Sequence, residues 1–361
     1  MWYKKKSNEE YIRVNGAIVA VDAMGGDYAP GEIVRGAADA TLRSDVNIIL
    51  VGDEKKIKEI LDECEYKKNR IDIIHTDQRI TNEETPRLGI LRNPKASMLI
   101  AASITNEGKA DSLVSAGNTG AYVLSCAKHI SRIPGVKKTA IATVFPTQNA
   151  QARPEPFSLL LDVGANVHCN PEDLVQFAIM GKIYFGELKG LKDPTIALLN
   201  IGKEEYKGGD ILSRTYKILA SLDGLNFIGN IEGHEILKGY ADIVVTEGYV
   251  GNIVMKTIEG MADILSHFGR YAFKRKFIWK LGLIALSSGL KQIKQAVDYS
   301  EYGGAPILGF KKIIIKAHGR SKAKAVTNAI LVAARSHMKH IPEKIKDEIS
   351  SYNKLTEQIK E

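Results

Sequence analysis

Apolar runs of strand length recur at residues 17–21, 46–51, 71–74, 157–161, 195–199, 242–245 and 312–315, with helical patterns filling most of the intervals. Val, Ile and Leu dominate these runs with little alternation. A half-exposed strand would alternate apolar and polar positions, so continuous runs predict strands covered on both faces by helices. The predicted class is α/β: a three-layer α/β/α, Rossmann-like arrangement around a largely parallel sheet. Several runs end in small or polar residues, at 22–27, 52–53, 115–120, 162–166, 200–202, 247–252 and 318–319. Ligands of open parallel sheets sit beyond the carboxyl ends of the strands, so these loops are expected to converge on a site. No internal repeat or proline-rich linker divides the chain. Residues 17–340 are therefore expected to form a single catalytic domain, between a polar leader at 1–16 and a charged tail at 341–361, itself an exposed helix or tail.

One of these strand ends is unusually free of bulk. The run Leu113-Val114 passes into Ser115-Ala116-Gly117-Asn118-Thr119-Gly120 and then into the helix-prone Ala121-Tyr122-Val123-Leu124. Gly117 and Gly120 permit close approach of a ligand, and Ser115, Asn118 and Thr119 supply polar groups beside the free N–H groups of a helix start. Such a turn suits an anion. An ordinary capped turn has the same composition.

Composition narrows the classes. The 361 residues are 44% hydrophobic and 25% charged, as in globular proteins, and no run of about 18 uncharged apolar residues suggests a membrane span. The leader carries Lys4-Lys5-Lys6 followed by Ser7-Asn8-Glu9-Glu10 in place of an apolar signal core, so a cytoplasmic protein is expected. Cys64, Cys126 and Cys169 lack paired spacing and are expected to be free thiols. A net charge of +8 favours acidic partners: nucleic acid, an anionic membrane, an acidic protein or a phosphorylated substrate. With 7% aromatic residues and no basic-aromatic alternation, nucleic acid ranks last.

The segment 268–300 departs from the strand–helix alternation. Phe277, Trp279 and Leu283 stand among Lys274, Arg275, Lys276 and Lys280 in an amphipathic pattern. It suits a membrane interface with anionic headgroups, and equally a dimer or core helix with solvated lysines.

Several chemistries lack their residues. There is no phosphate loop ending in Gly-Lys-Ser/Thr, no dinucleotide fingerprint after the first strand, no Gly-x-Ser-x-Gly and no His-Glu-x-x-His. His318 stands at a strand end, after Ile313-Ile314-Ile315 and before Gly319, where a base or a structural histidine could sit.

Six motifs in order carry a resemblance: Val21-Asp22-Ala23-Met24-Gly25-Gly26-Asp27 with Ala29-Pro30; the Ser115 turn; Leu161-Asp162-Val163-Gly164-Ala165-Asn166; Leu199-Asn200-Ile201-Gly202 with Lys207-Gly208; Gly248 to Asn252 with Lys256-Thr257; and Tyr302-Gly303-Gly304-Ala305-Pro306. Together they resemble the PlsX family of phosphate acyltransferases over roughly residues 17–335. The resemblance implies a fold similar to phosphotransacetylases and to isocitrate and isopropylmalate dehydrogenases, and homodimers peripherally associated with the membrane. The implied reaction is attack of inorganic phosphate on a long-chain acyl-acyl carrier protein thioester. Acyl phosphate then passes to glycerolipid synthesis, with a downstream glycerol-3-phosphate acyltransferase as partner. No cofactor and no metal are expected.

Phosphate is itself an oxygen nucleophile, so the protein has to position it and stabilise a tetrahedral oxyanion. The turn of Ser115, Gly117, Asn118, Thr119 and Gly120 and the backbone of Met24, Gly25 and Gly26 are expected to hold it, with Lys207 as counter-charge. Asn166, Asn200 and Asn252 are expected as oxyanion or substrate-orienting donors, a plain turn or cap role being the alternative for each. Asp22, Asp27 and Asp162 would orient donors, or help bind a cation if one exists. His318 would protonate the leaving thiolate or donate to an oxyanion. Tyr28 stands where the family commonly has His, His168 where Asp is usual, Lys203 where an acid is usual, and Arg320 and Lys322 where small polar residues are usual. The His168 and Lys203 exchanges are expected to add positive charge near the anion site, and Arg320 and Lys322, likewise basic, bear on any exact role of the helix start after His318-Gly319. A nicotinamide- and metal-dependent dehydrogenase of related fold and a non-catalytic membrane scaffold are the competing readings.

Overall fold

The buried Val/Ile/Leu runs become strands in a computed structural model that describes residues 16–149, 156–275, 286 and 303–358. The described strands are β1 Ile18–Asp22, β2 Asn47–Gly52, β3 Ile71–His75, β4 Ser112–Ser115, β5 Ala140–Pro146, β6 Phe157–Leu161, β7 Ile196–Asn200, β8 Phe227–Glu232, β9 Ile243–Val245, β10 Ala305–Leu308 and β11 Ile313–Lys316. The helices are α1 Gly31–Arg43, α2 Glu54–Asp62, α3 Pro86–Arg92, α4 Ser97–Asn106, α5 Thr119–His129, α6 Pro171–Lys189, α7 Gly209–Ser221, α8 Gly248–Arg275, α9 Ala323–Met338 and α10 Ile341–Gln358. The class is α/β, with a mostly parallel sheet flanked by helices.

Where one continuous domain was expected, the chain divides into two compact units, Met1–Ser131 with Lys312–Lys339, and Arg132–Lys311 with His340–Glu361. In the first unit the strand order is β3-β2-β1-β4-β11, all parallel. Helices α1 and α9 meet closely there: a Cβ on Gly36 would lie 2.6 Å from the Ala323 carbonyl, and Thr327 Oγ1 donates to the Gly36 carbonyl.

In the second unit the order is β10-β5-β6-β9-β7-β8, and β5 runs antiparallel to both neighbours. Phe145, Leu160, Ala197, Leu199, Ile231, Ile236, Ala241 and Val244 form one of its buried clusters. Helix α6 starts where Asn170 and Asp173 cap one another's backbone N–H groups with Pro171 at the first helical position, and it stops at Gly190 (φ 70°). The charged segment expected as an exposed helix or tail is the helix α10, but one face of it is not exposed: Ile341, Ile345, Ile349 and Tyr352 are buried. Its high charge describes only the opposite face.

The strand end expected at Leu113-Val114 is β4, whereas β5, β8 and β10 were absent from the expected strands. β5 contains Thr143 and ends in Pro146; β8 contains Gly229 and Asn230; and Pro306 lies in β10. Each departs from an unbroken apolar run. Of the segment 268–300, α8 accounts for residues up to Arg275; Phe277, Trp279 and Leu283 lie outside the described residues, as does the leader up to residue 15.

Candidate active site

In the first unit Asp22, Ser115 and Lys316 stand in register at the ends of β1, β4 and β11. Laterally paired residues of parallel strands project to one face, so the three side chains share it. Asp22 is buried; its Oδ2 accepts from Ser115 Oγ at 2.6 Å, and its Oδ1 from Ser97 Oγ at 2.5 Å and the Met24 N–H at 3.3 Å. Ser115 Oγ in turn accepts the Gly117 N–H at 3.0 Å. The serine expected to face the anion is thus committed inward, as the link between the carboxylate and the turn. Burial pushes the Asp22 carboxyl above its ordinary range, against Ser115, Ser97, the Met24 N–H and the Lys316 charge. Lys316 is itself buried and donates to the Ala317 carbonyl.

A carboxyl whose folded pKa is raised holds its proton to higher pH in the folded chain than in the unfolded one. Its contribution to stability therefore falls as pH rises from the ordinary value of 3.8 through the folded value. Denaturant titrations of the wild type and Asp22→Asn between about pH 4 and 7 are expected to show the wild type losing stability relative to the variant as pH rises. A difference that grows in the other direction would mean that Asp22 titrates below its ordinary range.

The loops after β1, β4 and β11 are knitted together. A Cβ on Gly25 would lie 2.3 Å from Asp22 Oδ2 and 2.8 Å from the Gly117 nitrogen, so neither glycine loop can carry bulk at this contact. Gly26 (φ 108°) lies against Ala116 and the Gly319 carbonyl. The Asp27 N–H donates to that carbonyl at 2.8 Å, while Asp27 Oδ1 accepts from Asn82 Nδ2 at 2.6 Å. Asn118 caps α5 by accepting the Ala121 N–H at 3.0 Å, and its amide donates to the Asn82 and Glu84 carbonyls, both at 3.2 Å. The expected ligand donor is therefore a cap and a tie. The exposed first-turn residues Thr119 and Gly120 keep backbone N–H groups with no acceptor among the described residues, the kind of donor a helix start can offer an anion. His318 Nδ1 accepts the Arg320 N–H at 3.1 Å, which places the proton of the neutral ring on Nε2.

In the second unit Asp162 is fully buried at the end of β6. Its Oδ1 accepts the N–H groups of Ile141 (3.0 Å), Gly164 (3.1 Å) and Ala165 (3.0 Å), and its Oδ2 accepts both the N–H and Nδ2 of Asn166 at 2.8 Å. Burial pushes this carboxyl upward, opposed by the donors from Ala165, Asn166 and Ile141. The first turns of α8 close on the same loop. A Cβ on Gly248 would lie 2.6 Å from Asp162 Oδ2, and one on Gly251 1.9 Å from the Asp162 carbonyl oxygen.

The three asparagines expected as donors separate here. Asn166 Nδ2 gives its hydrogens to the Thr139 carbonyl (2.7 Å) and to Asp162, so it has none left for an oxyanion. Asn200 closes its own loop, with Oδ1 accepting the Ile201 N–H at 2.8 Å and Nδ2 donating to the Lys207 carbonyl at 3.0 Å. Asn252 alone of the three is exposed with an amide uncommitted among the described residues. Lys207 is half-buried, its Nζ 5.5 Å above the Tyr206 ring.

The expected gain of positive charge holds unevenly. Lys203 is paired with Glu235 at 2.8 Å, and the His168 carbonyl accepts from Lys138 Nζ at 2.8 Å, whereas Arg320 and Lys322 are exposed with no carboxylate partner among the described residues. Sequence reading missed Ser97, Asn82 and Lys316; the signal for Lys316 was a charge closing an otherwise apolar strand. The cysteines are free thiols, and burial pushes Cys126 upward and Cys169 up to about 12, so neither ionises readily as a nucleophile. Among the described residues no group of three or more His, Cys, Asp or Glu side chains is arranged to hold a metal ion. No described helix is long and apolar enough to cross a membrane.

The fold is similar to that of a phosphotransacetylase from Streptococcus pyogenes, with a TM-score of 0.63 and 16% identity over 91% of this chain and 96% of that one. The EutD phosphotransacetylase from Staphylococcus aureus gives a TM-score of 0.57 and 17% identity over 89% and 94% of the two chains. The architecture is thus of the phosphotransacetylase class. Residues 17–344 match the family model described as fatty acid synthesis protein. The chain is 42% identical over 341 residues to a phosphate acyltransferase from Dictyoglomus turgidum, covering 94% of this chain and 98% of the relative. It is 43% identical over 334 residues to one from Dictyoglomus thermophilum, covering 92% and 97%. The chain belongs to this family, the PlsX phosphate acyltransferases.

Proposed function

We propose that the chain is a phosphate acyltransferase that moves a long-chain acyl group from acyl-acyl carrier protein to inorganic phosphate. The observation that carries this reading is the near full-length relationship to proteins named phosphate acyltransferase. A phosphate oxygen attacks the thioester carbonyl, the tetrahedral intermediate collapses, and the carrier thiolate leaves and takes up a proton. The products are acyl phosphate and free carrier thiol. In the first unit, the N–H groups of Thr119 and Gly120 with the backbone of Met24, Gly25 and Gly26 hold the phosphate, and Asp22, Ser115, Asn118 and Asp27 fix the loops that present them. His318, with a proton on Nε2, is the donor to the leaving thiolate. In the second unit, Lys207 supplies a cation and Asn252 an uncommitted amide, while Asp162 and Asn166 hold the loop on which α8 begins.

Purified protein with palmitoyl-acyl carrier protein is expected to release free carrier only when phosphate is present. Asn118→Ala is expected to raise the KM for phosphate more than that for acyl carrier protein, because the cap lost, at about 1 kcal/mol, loosens the turn that presents the N–H groups. No phosphate-dependent release would sink the reading; an unchanged phosphate KM would remove the turn from it.

The same reading includes a cytoplasmic homodimer, peripherally bound to anionic membrane and supplying acyl phosphate to a glycerol-3-phosphate acyltransferase. The basic, apolar pattern around Phe277, Trp279 and Leu283 supports membrane contact. Sedimentation at twice the chain mass of 39.6 kDa checks the dimer. Loss of liposome binding in Trp279→Glu, with acyl transfer in solution retained, checks the membrane contact.

A further inference from the structure

Helix α3 carries an outward face that the phosphate turn does not use. Arg87, Leu88, Leu91 and Arg92 are exposed, with Leu88 at 48% and Leu91 at 75%, while Gly89 is buried against Ile80. At 100° per residue the four span an arc of roughly 140°, opposite the buried glycine. Neither arginine has a carboxylate partner among the described residues. The loop after β11 extends this charge: Gly319 lies against Asn82 in the loop leading to α3, and Arg320 and Lys322 beyond it are exposed. Of the nearby carboxylates, Glu84 accepts from Thr81 and Asn93, Asp27 accepts from Asn82, and Glu83 is exposed; three carboxylates thus stand near four cations, and none of the three is paired with any of the four among the described residues.

This face adjoins the anion turn directly. A Cβ on Gly120 would lie 2.7 Å from Pro86 at the start of α3, and the Asn118 amide donates to the Asn82 and Glu84 carbonyls. A partner docked on α3 therefore stands beside the N–H groups of Thr119 and Gly120.

We infer that α3 and the loop after β11 form the docking surface for the acidic acyl carrier protein, an inference that rests on the acyl-transfer reading. The occupant follows from charge and apolar content together. Four exposed cations that no carboxylate pairs among the described residues attract an acidic surface, and two aliphatic side chains between the arginines fit a small apolar groove on a folded partner. A bilayer would favour a longer apolar face with interfacial aromatics, which this seven-residue helix lacks. The thioester would arrive next to the phosphate that attacks it.

The test measures binding and turnover separately. Fluorescence anisotropy of a labelled acylated carrier protein is expected to show Arg87→Glu/Arg92→Glu binding about tenfold or more weaker than wild type, with a flatter dependence on salt. In turnover assays the KM for acyl carrier protein is expected to rise while that for phosphate holds. Lys217→Glu, an exposed reversal on α7, serves as the control and is expected to bind like wild type. Leu91→Asp gives a second variant outside the charge pair and is expected to weaken binding too. Equal carrier affinity in wild type and both α3 variants overturns the inference, as does loss of binding to anionic vesicles with carrier binding retained. Because binding is read without chemistry, failure of the docking surface stays distinct from failure of the reaction, which would appear as wild-type protein releasing no carrier with phosphate.

Discussion

Asp162→Ala is expected to cost about 3–5 kcal/mol of folding stability, the range for removing one partner from a buried charged network. The carboxylate terminates five N–H donors, from Ile141, Gly164, Ala165 and twice from Asn166, in a place that water does not reach. Alanine leaves all five without this acceptor, and those out of reach of water, the Ile141 N–H first, carry a desolvation penalty. The damage spreads to α8, because Gly248 and Gly251 pack directly on this residue. Asp162→Asn keeps the volume but turns an amide donor toward the Asn166 donors, so an intermediate loss is expected. Urea denaturation gives the magnitude, and hydrogen exchange at Gly164, Ala165 and Asn166 locates it. A loss below about 1 kcal/mol for alanine would mean that the loop does not depend on the carboxylate.

Gly25→Ala is expected to lower phosphate-dependent acyl transfer by about 100-fold, the effect of displacing reacting groups by an ångström or so. The new methyl would stand 2.3 Å from Asp22 Oδ2 and 2.8 Å from the Gly117 nitrogen. Neither neighbour can withdraw: Asp22 is held by Ser97 and Ser115, and the Gly117 N–H is bound to Ser115 Oγ. The β1 loop must therefore move off the β4 turn, which separates the two backbones proposed to share the phosphate. Gly233→Ala, where an added methyl meets nothing within 4 Å, is the control and is expected to keep full activity. Steady-state kinetics against phosphate distinguishes the two. A Gly25→Ala protein with wild-type phosphate kinetics would show that the β1 loop has no part in binding it.

The loops that matter were visible in the sequence before their wiring was. Ser115, Asn118, Asp162, Asn166 and Asn200 were singled out because small polar residues close apolar strands there. What could not be read was which way each side chain donates. Asn166 and Asn252 look alike in sequence, yet one has both amide hydrogens taken and the other is exposed. Ser97 and Asn82 lie on no recognisable motif and enter only because β1 brings Asp22 to α4 and Asp27 to the loop before α3.

By itself the sequence determined the α/β class, most of the parallel strands, the loops at their carboxyl ends and the family, since burial on both faces leaves continuous Val/Ile/Leu runs and close backbone contacts leave glycines. Tertiary structure alone decided the antiparallel β5, the division into two units, the burial of α10 and the inward commitment of Ser115, Asn118 and Asn166. Those outcomes depend on partners distant in the chain: Asp22 is 93 residues from Ser115, and Asp162 is 21 from Ile141. Hydrogen bonding is directional and pairwise, so the role of a polar side chain is set by the atom it meets, whereas the apolar pattern that specifies a strand or helix is local and needs no such partner.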